Sequence, residues 1–427
     1  MTDTFLSEQK PRMNASPMHV LRNRNFRLLW IGEGISLLGD QFYLIALPWL
    51  VLSLTGDALV VGTVLAAVGI PRALFMLVGG ALTDRFTPRK LMINSNLARM
   101  MLTGLLAALV ATNLIQLWML YALALFFGLA DAFFFPAQTS IVPKLVDRDQ
   151  LQAGNAVIQG TAQLSLFVGP VVAGLIISWL DSGANQSTSG IALAIIIDSL
   201  SFLASITALS LIKIENADER AGKGKGGVFA SIREGLFYVW NDATLRMVFP
   251  ITLGLNILIN GPFAVGIPVM ARTRFSEGAA AFGLILSLFG GGALLGTVLA
   301  GVLPRPSKKW LGTVSLSVIS MMGVGLAIIG VAPTMHTAAT AGLFMGIANG
   351  YANIMLITWL QQKVAPEMTG RVMSLVMFAA VGLNPVSNAL AGMLIGLNIT
   401  VLLVCAGSLM ALFTLCAAFS PAVRTGM

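Results

Sequence analysis

The sequence predicts an all-α membrane protein whose twelve transmembrane helices form two six-helix halves. Three observations carry this expectation. Hydrophobic residues make up 56% of the 427 and charged residues only 10%, with a mean hydropathy of +0.85; a water-soluble fold would lack the polar side chains its surface needs. Apolar stretches of about 20 residues recur along the chain, the length at which a helix crosses a hydrocarbon core of about 30 Å. Short loop motifs also recur at one offset, as an internal repeat requires. The composition excludes a disordered chain, a secreted disulfide scaffold and an ordinary cytosolic enzyme.

Residues 1–27 are polar and carry Lys10, Arg12, Arg22, Arg24 and Arg27. They lack the apolar core and cleavage site of a signal peptide, so this segment is expected to stay on the side of synthesis. Six spans are expected within 28–212, at about 28–54, 59–82, 91–112, 116–138, 154–180 and 190–212. The polar stretch 213–245 contains Gly222, Lys223, Gly224, Lys225, Gly226 and Gly227. It reads as a linker leading into a short amphipathic helix, with Val228, Phe229, Ile232, Leu236 and Phe237 on its apolar face. Six more spans are expected within 246–419, at about 246–271, 279–303, 310–332, 338–360, 372–396 and 398–419, and residues 420–427 form a tail.

The net charge of +8 is explained by orientation and not by nucleic acid. With the N-terminus inside, 22 basic residues fall in cytoplasmic segments and two, Arg272 and Arg274, in outer loops. That asymmetry puts both termini and the central linker in the cytoplasm. Cys405 and Cys416 lie in the last span and read as small packing residues.

The repeat is visible in two loops. Gly80-Ala81-Leu82-Thr83-Asp84-Arg85 follows span 2 and Gly301-Val302-Leu303-Pro304-Arg305 follows span 8, an offset of 221. Val142-Pro143-Lys144 follows span 4 and Ala365-Pro366-Glu367 follows span 10, an offset of 223. The same shift carries span 1 onto span 7.

Six ionisable residues fall inside expected spans: Glu33, Asp40, Arg72, Arg99, Asp131 and Asp198. All are in the first half, and each would cost several kcal/mol facing lipid. Counting 1.5 Å per residue from the inner ends puts Asp40 roughly 18 Å and Arg72 roughly 15 Å deep, so they are expected to meet. Arg99 at roughly 12 Å and Asp131 at roughly 10 Å suggest a second pair. Two readings of each pair stay open: a static ion pair, or an acid poised between desolvation and a guanidinium so that it changes protonation state as access switches. Glu33, only roughly 8 Å deep, is expected to reach the interface. Asp198 is expected to pack against a polar neighbour.

No cofactor is expected. Gly290, Gly291, Gly292 and Gly296 form a glycine run inside span 8 without the lysine or the strand-to-helix context of a phosphate loop. The only histidines, His19 and His336, lie outside the spans, and no metal or paired-acid motif of an intramembrane enzyme is present. Asn256 and Asn260 in span 7 are four apart on one helix face, as are Asn349 and Asn353 in span 10. Asn256 and Asn353 lie at one depth, Asn260 and Asn349 at another. The amides either bond each other across the two helices or form a neutral wall, with Tyr351, Trp359, Phe42 and Tyr43 as aromatic neighbours.

The residues from Gly80 to Arg85, with Arg89 and Lys90, resemble the loop signature of the major facilitator superfamily, with Thr87 and Pro88 as departures. Gly169-Pro170-Val171-Val172-Ala173-Gly174 is similar to the Gly-Pro motif of its antiporters, with Ser165 and Ala173 in place of two glycines. Asn25-Phe26-Arg27-Leu28-Leu29-Trp30, Phe135-Pro136-Ala137, Ser201-Phe202-Leu203 and Gly370-Arg371-Val372-Met373-Ser374 resemble the drug- and siderophore-exporting branch, which includes macrolide efflux pumps and the enterobactin exporter. The resemblance implies the major facilitator fold in a bacterial inner-membrane exporter, proton-driven and working by alternating access. It implies a small amphipathic substrate, protons and the lipid bilayer as partners, and a monomer is expected. Lipid flipping and nutrient uptake remain open. In the resembled fold helix 1 lines the cavity, which makes Asp40 the first proton-coupling candidate, with Arg72 and Asp131 beside it. Gating is expected from Gly80, Asp84, Arg85, Arg89, Gly169, Pro170 and Gly174, with Asp84 as an inner latch. Substrate binding is expected at Asn256, Asn260, Asn349, Asn353, Tyr351, Phe42 and Tyr43.

Overall fold

A computed structural model of the protein describes residues 17–83, 87–147, 149–181, 188–213, 228–304, 306 and 308–418. After a single helical turn at Pro17–Val20, the first six long helices are α1 (Arg24–Thr55), α2 (Ala58–Thr83), α3 (Pro88–Ala111), α4 (Leu117–Ile141), α5 (Leu151–Asp181) and α6 (Ser189–Leu211). A short helix, α7 (Val228–Asn241), precedes α8 (Ala243–Arg274), α9 (Ala279–Val302), α10 (Lys308–Val331), α11 (Met335–Lys363), α12 (Pro366–Val381), α13 (Asn384–Ile395) and α14 (Ile399–Ala418). Among the described residues, ten helices are long and apolar enough to cross a membrane. The eleventh span is broken: Gly382 and Leu383 separate α12 from α13. In α14 the apolar stretch Ile399–Leu412 makes the twelfth.

Local chemistry sets the ends. Asn23 caps α1, its side-chain oxygen accepting from the amides of Asn25 and Phe26. The helix stops at Gly56, whose φ of +66° a residue with a Cβ adopts only under strain. Only Gly56 and Asp57 separate α1 from α2, so the two run antiparallel. Pro48, Pro71, Pro136, Pro170 and Pro262 interrupt the backbone ladders inside α1, α2, α4, α5 and α8. Membrane helices tolerate such breaks where neighbouring helices satisfy the freed groups. Ser387 of α13 does this for α8: its Oγ accepts from Gly261 N at 2.7 Å and donates to Ile257 O at 2.6 Å.

The amphipathic helix falls at α7 within the expected stretch. Val239 points inward with Leu245 and Leu360, and Leu236, Phe237 and Trp240 are exposed. The Tyr238 hydroxyl accepts from Ala365 N, tying α7 to the start of α12. The side chains of Val228, Phe229 and Ile232 lie outside the described set.

Within the first half, α1 packs along α6 and α5, α2 along α4, and α3 along α6 and α4. Within the second, α9 packs along α11, α10 along α14 and α11, and α13 along α8. The halves meet where α5 crosses α9 and where α2 crosses α13. Both crossings are glycine contacts, and they repeat. Gly174 lies against Ala279 O and the Cα of Gly283, while Gly392 lies against Ala58 O and the Cα of Gly62. Gly62 and Gly283 are 221 residues apart, Gly174 and Gly392 are 218 apart, so one contact is the repeat image of the other. Deeper along the same helices, Gly69 meets Pro385 and Gly290 meets Leu166.

These contacts cluster at one end of the bundle, away from the helix ends and turn that carry Arg89, Lys144, Arg246 and Lys363. At that far end Ser178 Oγ donates to Glu277 O, Arg272 Nη1 donates to Ser53 Oγ, and Gly278 sits against Trp49. Gly160, Gly254 and Gly301, on α5, α8 and α9, have no atom within 4 Å of where a Cβ would stand. The halves are joined at the far end.

Candidate functional site

The first half holds a buried polar cluster. Arg99 on α3 is only 3% exposed at its side chain and donates from Nη2 to Asp40 Oδ1 on α1 at 2.6 Å. The same Nη2 lies 3.8 Å from Asp131 Oδ1 on α4, and Arg72 Nε on α2 lies 3.1 Å from Asp131 Oδ2. The expected pair of Arg99 with Asp131 is present at 3.8 Å, whereas the expected pair of Asp40 with Arg72 is corrected. Arg99 pairs with Asp40 first, and Arg72 with Asp131. Depth along each span was compatible with either pairing, and helix adjacency decides between them: α2 runs along α4, which puts Arg72 over Asp131.

Arg99 is held on its other sides by aromatic rings. Its guanidinium carbon is 4.3 Å from the ring centre of Phe202, 4.9 Å from Phe134 and 5.4 Å from Phe127. Such rings stabilise a cation in a desolvated place through their negative faces. Tyr43 stacks on Phe127 at 4.5 Å. Asn96, one turn before Arg99 on α3, accepts from Arg99 Nη1 at 3.4 Å and donates to Ser205 Oγ at 3.0 Å.

Two expectations about acids fail. Glu33 does not reach an interface: it is 2% exposed, and its Oε2 accepts from Gln138 Nε2 at 2.6 Å. Its place on α1 faces α4, so the short distance to the inner end gives no route to water. Asp198 has no polar partner at its carboxylate; both oxygens are buried without a hydrogen bond. Asp40 and Arg72 are the cluster's outward members, their side chains 30% and 40% exposed.

The expected substrate wall is partly assembled. On α8, Asn260 donates to Asn256 Oδ1 at 3.0 Å and Asn256 to Thr252 O at 2.8 Å, and both are half-buried. On α11, Asn349 and Tyr351 are half-buried and Asn353 is exposed. No hydrogen bond joins the two amide pairs among the described residues, so they do not lock α8 to α11. Phe42 and Tyr43 do not join this wall. Both are buried in a core group that draws residues from both halves, and Tyr43 stacks on Phe127 of α4. Trp359 packs into the group around Val239 and Leu360.

Of the expected gating residues, Asp84 and Arg85 lie outside the described residues. Gly80 lies in α2. Arg89 donates from Nε to Leu209 O and from Nη2 to Ser210 O, capping the last carbonyls of α6. Gly169 and Gly174 face different partners: Gly169 abuts Gln41 of α1, whereas Gly174 and Pro170 meet α9. The break at Pro170 is bridged from the other half, where Ser287 Oγ accepts from Val171 N at 2.8 Å.

Sequence reasoning passed over Asn96, Gln138 and Phe127, and took Phe202 only as part of a branch motif. Asn96 and Arg99 are spaced to share a helix face, which is a usable signal. Gln138 and Phe202 reach the cluster from other helices, and nothing local marks them.

Residues 29–386 match the model of the Major Facilitator Superfamily. The chain is 24% identical over 378 residues to macrolide efflux protein A of Streptococcus pyogenes, covering 87% of this chain and 90% of that protein. It is 28% identical over 370 residues to the multidrug efflux pump Tap of Mycobacterium tuberculosis, covering 83% of each. Its fold is similar to that of the nucleoside transporter NupG, with a TM-score of 0.69 at 13% identity over 94% of this chain and 99% of that one. It also resembles a bacterial homologue of the iron transporter ferroportin in an inward-facing state, with a TM-score of 0.67 at 16% identity over 93% and 99%. With twelve spans in two interlocked halves and a match across most of its length, the chain belongs to the Major Facilitator Superfamily and is a multi-pass membrane transporter, not an enzyme.

Proposed function

We propose that this protein exports amphipathic small molecules, such as a macrolide-like drug or a siderophore, across the bacterial inner membrane by proton-coupled alternating access. The observation that carries this reading is the likeness over more than four-fifths of the chain to proteins named for macrolide and multidrug efflux. The basic end, with both termini, is then cytoplasmic, as the placement of Lys and Arg favours. The form joined at the far end is the one that would load from the cytoplasmic side, and the monomer is the working unit. Asp40 exchanges protons with the cavity: it is the partly exposed partner of a caged arginine, so protonation there ends a 2.6 Å charged contact and frees α1 from α3. The amides of α8 and α11 offer adaptable, uncharged hydrogen bonding suited to varied amphipathic substrates.

The test is a drug-susceptibility panel in an efflux-deficient bacterial host, with and without the gene and with the proton gradient intact or collapsed. Resistance to some compounds that disappears with the gradient, and with Asp40→Asn, is the expected result. Wild-type resistance insensitive to the gradient would refute proton coupling, and no resistance alongside normal protein level would refute efflux.

A further inference from the structure

The spans of the first half contain four acids and two arginines, a formal sum of −2. Each arginine has an acid of its own, Arg99 with Asp40 and Arg72 with Asp131. Glu33 and Asp198 are left over. Glu33 has one oxygen held by Gln138 and one bare. Asp198 is fully buried with both oxygens bare. Even Ser201, three residues on, gives its hydroxyl to the Asp198 backbone carbonyl and not to the carboxylate.

An ionised carboxylate enclosed in this way costs several kcal/mol. The groups that face it are few. From α1 come Glu33, Asp40 and Tyr43; the α1 backbone is close enough that a Cβ on Gly39 would stand 3.2 Å from Asp198 Oδ1. From α3 comes Arg99, whose guanidinium lies over Phe202, one helical turn from Asp198 on the same face of α6. From α5 the nearest titratable side chain is Asp181, at the far end, which accepts from Gly190 N. Among the described residues Arg99 is thus the cation facing Asp198, and it is engaged by Asp40. Its Nε is buried without a hydrogen-bond partner.

Building on the proton-coupled reading above, we propose that Asp198 is a buried proton-holding residue that alternates with Asp40 for the charge of Arg99. In the arrangement seen, Asp40 is ionised against Arg99 and Asp198 carries a proton. When Asp40 gains a proton from the cavity, an O–H bond forms there and the contact with Arg99 lapses. Asp198 then loses its O–H proton to water as α1 and α6 part, and its charge is met by Arg99. One proton enters for each one that leaves, and the charge of the cluster is unchanged. Arg99 stays in its aromatic cage throughout; the two acids trade places electrically.

The experiment is infrared difference spectroscopy of the full chain in lipid nanodiscs at neutral pH, reading the absorption of protonated carboxyl groups. Asp198→Asn, which keeps the shape of the neutral acid, is expected to lose one protonated carboxyl relative to wild type. Asp40→Asn frees Arg99 and is expected to lose the same signal although Asp198 is still present, and the double variant should lose no more than either. An always-protonated structural acid would leave the signal unchanged in Asp40→Asn, which overturns the alternation. Full retention in Asp198→Asn overturns the assignment itself. If Asp198→Asn fails to fold, the Asp40→Asn spectrum decides alone. Because the readout needs no transported compound, a wild-type chain that exports nothing refutes the efflux reading and leaves this one standing.

Discussion

Replacing Gly174 with alanine places a methyl group in the far-end crossing of the two halves. A Cβ there would stand 2.5 Å from Ala279 O and 3.1 Å from the Cα of Gly283, and ordinary contact begins at 3.4 Å, so the shortfall at the carbonyl is 0.9 Å. Both obstacles are backbone, and no rotamer change relieves them. Overpacking of this kind costs about 1–3 kcal/mol. The cost falls only on the far-end-closed form, because the crossing comes apart when that end opens. The ratio of open to closed molecules should therefore rise by about 5- to 150-fold. The assay is the distance distribution between spin labels at Leu114 and Leu397, exposed far-end positions in the two halves. Gly392→Ala, the repeat image with a shortfall of 0.7 Å at Ala58 O, should act in the same direction. Gly160→Ala, which meets nothing within 4 Å, should leave the distribution as in wild type. An unchanged distribution in both Gly174→Ala and Gly392→Ala would refute the idea that these glycines close the far end.

Arg99→Ala removes the buried cation shared by Asp40 and Asp131 and should lower stability by about 3–5 kcal/mol, whereas Arg72→Ala, at a 40% exposed side chain, should cost about 1 kcal/mol or less; thermal unfolding in detergent measures both, and equal losses would reject the buried–exposed distinction. Asn260→Ala and Asn349→Ala should change which compounds are exported, with unlike losses across a susceptibility panel. A uniform loss that tracks protein level would show packing residues instead. Single cysteines at Thr55 and Thr334 should react with an impermeant thiol reagent from outside, and one at Gly224 should not; the reverse labelling would invert the proposed orientation.

What the sequence made legible follows from the physics each feature depends on. Span number and position rest on the length of apolar runs, a local property, whereas the break at Gly382 and Leu383 and the reach of α1 back to Arg24 and of α12 back to Pro366 had to come from the structure. The repeat offset read from two loops reappears in the paired contacts of Gly62 with Gly392 and Gly174 with Gly283. Side-chain partners were less accessible. Depth placed Asp40 and Arg72 at compatible levels, but a pair also needs adjacent helices, and that is decided by packing over the whole bundle. The same limit explains Phe42 and Tyr43: one helix face is apolar throughout, and nothing in α1 alone says which part of it turns toward a cavity and which toward α5 and α6. Asp198 is the sharpest case, since its lack of a partner is a property of everything around it.

The confinement of all six intramembrane charges to the first half has an electrical consequence. A membrane voltage does work only on charge that moves through it, about 2.3 kcal/mol for each elementary charge carried across 100 mV. Between their ends the spans of the second half carry no formal charge, so the field does no such work on their interiors. Within the membrane interior the voltage then acts on charges of the first half, where the acid cluster lies. The polar but uncharged walls of α8 and α11 can meanwhile accept or release a substrate without that step itself coupling to the field.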